Sequence, residues 1–387
     1  MPSTFSGQMF SVPENDGRIM GSWERFLSGG ESGSDALRRL IDDSWRRCQG
    51  ASVDPGRYQA PEPIAEHSLR SLRHECSELV TASTPVMASA RDFLSETGTV
   101  MVLTNQAGTI LNLEGDVNIR GAAENVHLLS GANWSELACG TNAIGTALAV
   151  GQPIQIHSAE HYCEGIKRWT CSATVVRDPC DGTIIGVIDV SGLTGSYSRN
   201  SLALVVATAA RIENRLAKIE MEMRYQLLES CFDRLNFSCT DGVIIFDRRG
   251  RAIKTNGHAG DAMAAMGIAE CAALPEGLGG LSLDWSGGAE RPKVLPEWIR
   301  QEWLEPVMHD GEQIGAVLTL PGSRHRTIVA DRSRASSTAM EMPADKGVFD
   351  KLVGESPALM QTLGRARQLA KSRVPVLILG ETGVGKD

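Results

Sequence analysis

Ala173-Thr174-Val175-Val176, then Asp178-Pro179-Cys180-Asp181-Gly182, then Thr183-Ile184-Ile185-Gly186-Val187-Ile188 set the fold class of this chain. Two β-rich runs around an Asx- and Gly-rich turn predict an antiparallel hairpin, because those turn residues tolerate the backbone angles that reverse a strand. The same grammar occurs three more times. Val100-Met101-Val102-Leu103 leads through Asn105-Gln106-Ala107-Gly108 into Thr109-Ile110-Leu111, and Val243-Ile244-Ile245-Phe246 through Asp247-Arg248-Arg249-Gly250 into Arg251-Ala252-Ile253. Pro306-Val307-Met308 leads through His309-Asp310-Gly311 into Glu312-Gln313-Ile314-Gly315-Ala316-Val317-Leu318. The hairpins fall in two pairs with helical segments between the members of each pair. Two antiparallel sheets in separate α+β domains are therefore expected.

Length agrees, since 387 residues allow two or three domains at roughly 100–200 residues each. Apolar residues make up 42% and charged residues 22%, an ordinary soluble balance. No apolar run approaches the ~20 residues of a membrane span, so neither membrane nor export is indicated and the expected location is cytoplasmic. Nine irregularly spaced cysteines fit a reducing compartment. A net charge of −9 gives no support for nucleic-acid binding by this stretch.

Leu69, Leu72, Cys76 and Leu79 recur at 3-4-3 spacing and mark an amphipathic helix before the first sheet. Pro85 stands where a second helix would begin, with Ser83 or Thr84 as its cap. Between the sheets Leu202, Val205, Ala209, Ile212, Leu216, Ile219 and Met223 follow a 3-4 repeat flanked by charges such as Arg211, Lys218 and Glu222. Such a pattern predicts a coiled-coil seam and a homodimer through this linking helix; the competing reading is a helix packed on its own sheet. From Ser323 to Lys346 apolar residues thin out, as in a linker.

At the far end, Val376-Leu377-Ile378-Leu379 reads as a buried strand opening into Gly380-Glu381-Thr382-Gly383-Val384-Gly385-Lys386-Asp387. Glycines at this spacing let backbone N–H groups face a phosphate while the lysine reaches the β/γ-oxygens, so all eight residues are assigned to ATP. The helix and the magnesium ligands that complete such a site are not in the sequence. ATP with magnesium is expected in a longer parent protein; this chain is expected to hold no cofactor tightly and not to be an enzyme by itself.

Val353-Gly354-Glu355-Ser356-Pro357 together with this loop resembles the start of the AAA+ domain of sigma-54-dependent transcriptional activators. Trp134-Ser135-Glu136, Gly140 to Leu148, Glu160-His161-Tyr162, Trp169 to Ala173 and Gly186 to Gly192 resemble the GAF domain of the acetoin-catabolism-regulator branch. Asp43-Ser44-Trp45-Arg46-Arg47-Cys48 with Val53-Asp54-Pro55 does too, and the second sheet is similar to a PAS domain. The resemblance lays the chain out as an N-terminal helical segment (1–66), a GAF-like sensor (67–200), a linking helix (201–236) and a PAS-like domain (237–321). A linker (322–347) and the start of an AAA+ ATPase domain (348–387) follow. It implies a small alcohol, diol or ketone as effector, and contact with sigma-54 RNA polymerase and DNA only through regions outside this sequence.

Thr141 and Asn142, flanked by Gly140 and Gly145, suit a helix start with either as N-cap. The small residues Ala143, Gly145 and Thr146 let that helix approach the sheet closely or leave a void beneath it. Trp134 and Trp169 would wall the void and Ile144 and Cys171 would line it. Asn142, Thr146, His157 and Ser172 would supply the few convergent polar contacts of a small-molecule site. His157, His161, Cys163 and Cys171 also raise a metal or redox alternative. Their spacing, H-x3-H-x-C-x7-C, is not a common zinc arrangement, and no metal site is assigned.

Overall fold

The computed structural model describes residues 9–30, 37–237, 240–267 and 298–322. The phosphate-loop residues 380–387, the strand before them and nearly all of the 322–347 linker lie outside the described residues. The chain divides into two compact units at Met221/Glu222.

In the first unit, helices α1 (Asp16–Leu27) and α2 (Arg39–Gly50) precede α3 (Glu66–Glu75) and α4 (Ser77–Leu94). Strands β1 (Thr99–Asn105) and β2 (Ile110–Gly115) form the first hairpin. Short helices α5 (Arg120–Asn125), α6 (Glu136–Cys139) and α7 (Ala143–Val150) lead to β3 (Ile154–His157), and β4 (Trp169–Arg177) and β5 (Ile184–Leu193) form the second hairpin. The five strands are antiparallel in the order β2-β1-β5-β4-β3. Gly108, at φ +80°, closes the first turn in a conformation that side chains disfavour.

Strand alternation gives the sheet two apolar faces. Val100, Val102, Ile154, Ile156, Cys171, Ala173, Val175 and Val187 pack with α7 and with Ile19, Phe26, Ile41 and Trp45 of α1 and α2. The N-terminal helices therefore share this core. Met101, Leu103, Leu111, Val176, Ile188 and Val190 face α4 and the long helix α8 (Arg199–Ser230).

Two sequence expectations change here. Pro85 does not start a helix but lies inside α4; the break falls at Cys76. Ser83 and Thr84, expected as caps, instead donate their hydroxyls to the Val80 carbonyl. The linking helix exists, but Leu202, Val205, Ala209, Ile212 and Leu216 are buried in the core formed with α4 and the sheet, not presented to a second copy. A 3-4 apolar stripe is satisfied equally by a sheet and by a partner helix, and here the sheet takes it.

In the second unit, β6 (Gly242–Asp247), β7 (Ala252–Thr255), β8 (Leu304–His309) and β9 (Glu312–Leu320) form an antiparallel sheet in the order β7-β6-β9-β8. Ile244, Phe246, Leu318 and Leu320 pack with Ala259, Ala262 and Met263 of helix α10 (Ala259–Ala265); α9 (Phe232–Phe237) precedes β6. On the other face Val243, Ile245, Ile314 and Val317 pack with Leu227 and Cys231. Both predicted hairpin pairs form, one in each sheet.

Candidate functional site

Helix α7 begins at Asn142, whose Oδ1 accepts the Gly145 N–H at 2.9 Å while its Nδ2 donates to the Gly140 carbonyl at 2.8 Å. The helix stays close to the chain before it because Gly145 lacks a side chain. A Cβ there would lie 2.4 Å from the Glu136 backbone nitrogen. Between α7 and the sheet lies a small cavity whose free space is that of about one water molecule.

Leu128, Trp134, Ala143, Ile144, Ile166 and Trp169 make most of the wall, with Asn142, His161, Cys171, Asp189 and Ser191. Of the residues expected from the sequence, Trp134, Asn142, Ile144, Trp169 and Cys171 come together there. Three do not. Thr146 donates to Glu136 Oε1 at 2.8 Å in a separate network. Ser172 and His157 occupy the alternate positions of β4 and β3, opposite in sense to Cys171 and Ile156, so they project from the other face of the sheet. There Ser172 accepts from Gln155 Nε2 at 3.0 Å, and the His157 ring meets Tyr197 edge-on at 5.1 Å. Asn142 reaches the cavity, but its amide is used at the helix start.

The unpartnered polar groups of the cavity are ones the sequence reading did not assign to it. Asp189 is fully buried on β5; Ser191 Oγ donates to its Oδ2 at 2.6 Å, and its Oδ1 has no hydrogen-bond partner. Burial pushes its carboxyl up to about 7. His161 is fully buried and burial pushes it down to about 3, so it is neutral. Its Nδ1 lies 3.1 Å from the Ser158 carbonyl, which only accepts, so Nδ1 carries the proton and Nε2 is a bare acceptor. Nε2 too has no partner. Buried polar atoms are nearly always paired, and these two unpartnered atoms line one small cavity. The available signal was Asp189 itself, a lone acid within the apolar run Val187 to Val190.

Segment 158–167 forms 3-10 turns at Ser158–Glu160 and Glu164–Ile166. The N-terminal helices hold it. Arg38 clasps the Glu160 carboxylate at 2.7–2.8 Å, Trp45 Nε1 donates to the Glu160 carbonyl at 2.8 Å, and Trp23 Nε1 to the Tyr162 carbonyl at 2.9 Å. Lys167, which burial pushes down to about 7, donates to the Ala159 and His161 carbonyls and lies 4.1 Å over the Trp23 ring. A second tie joins α2 to α6 and α7. Glu136 accepts from Arg47 Nε at 2.7 Å, Arg47 Nη2 at 2.8 Å and Ser44 Oγ at 2.6 Å, besides Thr146.

His157, His161, Cys163 and Cys171 do not converge. Among the described residues no group of three or more His, Cys, Asp or Glu side chains is placed to hold a metal. Burial pushes the Cys48 thiol up to about 11 and Cys163 to about 12, and raises Cys139 and Cys171 as well, so thiolate is scarce at all four. No described helix is long and apolar enough to cross a membrane.

A family model described as MimR, N-terminal domain, matches residues 16–214, just over half of the chain, and one described as Sigma-54 interaction domain matches 352–387. The acetoin dehydrogenase operon transcriptional activator AcoR of Bacillus subtilis (strain 168) is 31% identical over 226 residues, covering 58% of this chain and 36% of that protein. The propane 2-monooxygenase operon transcriptional activator MimR of Mycolicibacterium goodii is 29% identical over 208 residues, covering 54% of this chain and 34% of its own. The acetoin catabolism regulatory protein of Cupriavidus necator is 27% identical over 371 residues, covering 90% and 51%. The chain thus spans between a third and about half of the length of these relatives. It belongs to the MimR N-terminal domain family, among sigma-54-dependent transcriptional activators of the acetoin-regulator type.

Proposed function

We propose that residues 16–214 are the effector-sensing part of a transcriptional activator, and that a small alcohol, diol or ketone occupies the cavity between α7 and the sheet. On this reading the first unit is a GAF-type sensor and the second a PAS-type domain. The parent protein's ATPase, its sigma-54 polymerase contact and its DNA contact lie in other regions, and the protein works in the cytoplasm. The supporting observation is the small cavity with two unpartnered polar atoms, Asp189 Oδ1 and His161 Nε2. Occupancy would reach the rest of the sensor along two routes. His161 sits on the segment clamped by Arg38, Trp45 and Trp23, and Asn142 starts the helix tied through Thr146 and Glu136 to α2.

The test is a thermal-shift screen of four-carbon alcohols, diols and ketones, because a ligand that binds only the folded state raises its melting temperature. Binding should be lost in Ala143→Leu, which fills the cavity from the start of α7. A hit that binds Ala143→Leu as well as wild type would place the effector elsewhere and reject the reading.

A further inference from the structure

We propose that segment 158–167 is a gate over the cavity and that the N-terminal helices hold it shut, so that the residues of this clasp oppose effector entry. This rests on the reading of the cavity as the effector site. The cavity has room for about one water molecule, so a four-carbon compound enters only when a wall moves aside. The sheet wall is fixed. Trp169 and Cys171 lie on β4 and Asp189 and Ser191 on β5, and each of these strands is hydrogen-bonded on both sides. Helix α7 is pinned by the close backbone approach at Gly145 and by the Thr146–Glu136 bond. Trp134 is anchored through its backbone N–H to the Gly108 carbonyl at 2.8 Å and through its ring N–H to the His127 carbonyl at 3.2 Å. His161 and Ile166 differ, because their segment consists of two short 3-10 turns outside the sheet.

Side chains far away in sequence hold that segment. Asp16 of α1 accepts the Ala159 N–H through Oδ1 at 2.9 Å and the Ser158 hydroxyl through Oδ2 at 3.0 Å. Trp23 of the same helix donates to the Tyr162 carbonyl, and its ring lies under Lys167 Nζ. Arg38 and Trp45 add the bonds to Glu160. Ser158 itself sits at φ +41°, a left-handed conformation that a residue with a side chain disfavours, so the closed turn is strained and release would relieve it. Opening requires these side-chain bonds to part and leaves the sheet and α7 intact, as in the loop motions that gate other sites. Where a site must open first, apparent affinity falls in proportion to the open fraction. Weakening the clasp should therefore strengthen binding.

Opening can be read without any effector from Cys171, a buried thiol that lines the cavity. The intact chain is treated with methyl methanethiosulfonate, and labelling of Cys171 is followed by peptide mass spectrometry in wild type, Trp23→Phe, Asp16→Asn and the double variant. Trp23→Phe keeps a ring and loses the N–H given to Tyr162, while Asp16→Asn keeps one of two acceptor oxygens. Each removes about one hydrogen bond from the closed state, so Cys171 should label roughly three- to tenfold faster in either variant and faster still in both. Amide exchange in β1, which β5 separates from β4, should stay at the wild-type rate. Unchanged Cys171 labelling, or β1 exchange that accelerates in step with it, would overturn the gate; the second result would mean that the whole unit loosens. A four-carbon compound from the thermal-shift screen that binds wild type should bind the double variant more tightly. Equal affinity would remove the gate and leave the effector site standing. If labelling accelerates as expected and no compound of the screen binds either protein, the gate stands and the effector reading falls.

Discussion

Replacing Glu136 by alanine should loosen the N-terminal helices from the cavity. The carboxylate accepts four hydrogen bonds, from Ser44 Oγ, Thr146 Oγ1 and both Nε and Nη2 of Arg47, at 2.6–2.8 Å. Breaking one partner of a fully buried ion pair costs about 3–5 kcal/mol. Here the Arg47 side chain is 42% exposed against 8% for Glu136, so the freed guanidinium finds water and the electrostatic part shrinks. Ser44 keeps Thr141 as a partner at 2.7 Å, and Thr146 is left with only Ser44, at 3.5 Å. A loss of about 2–4 kcal/mol is expected on these grounds. For a unit of this size it lowers the melting temperature by roughly 4–16 °C. The assay is urea unfolding of wild type, Glu136→Ala, Arg47→Ala and the double variant. A positive coupling energy of at least about 1 kcal/mol between the two sites is expected. A Glu136→Ala cost below about 1 kcal/mol, or strictly additive effects, would show that the network does not hold α2 in place.

Asn142→Ala should cost about 1 kcal/mol through loss of the helix cap, and a much larger loss of probe affinity than of stability would show that its amide serves the ligand instead. The folded-state value for Asp189 lies above that of the unfolded chain. Its contribution to stability is therefore complete below about pH 4, where the carboxyl is protonated in both states, and is lost as pH rises through about 7. Asp189→Asn should gain on wild type between pH 4 and 8 in chemical denaturation; a stability gap flat across that range would refute the assignment. Ile212→Asp should unfold the first unit, since it places a charge in the core between α4 and the sheet, whereas a well-folded variant that merely shifts from dimer to monomer in light scattering would restore the seam. Gly145→Ala should cost about 1–3 kcal/mol, because its Cβ would lie 2.4 Å from the Glu136 nitrogen, and a neutral effect would mean that α7 can move away freely.

The hairpins, the long helix and much of the cavity wall were legible in the sequence by itself. Alternating β-branched runs around Asx-Gly turns have few other solutions, and two tryptophans beside a run as small as Ala143 to Ala147 announce a gap. A cap at Thr141 or Asn142 was equally local, because a cap depends only on the next three residues, and the structure takes Asn142. Tertiary structure decided what local pattern leaves open. The stripe from Leu202 to Leu216 carries the same spacing for a partner helix as for a sheet, and only the position of α4 and β5 assigns it inward. Cys171 and Ser172 are neighbours in sequence, yet the pleat sends one into the cavity and the other to the opposite face. Thr146 was turned from ligand contact to scaffold by Glu136 and by a helix nearly a hundred residues earlier in the chain. His161 and Asp189 became the cavity's polar pair only when β5 and the clamped 158–167 segment were brought to one wall. Unsatisfied hydrogen-bonding capacity is a property of surroundings, and a sequence names the group without naming what it lacks.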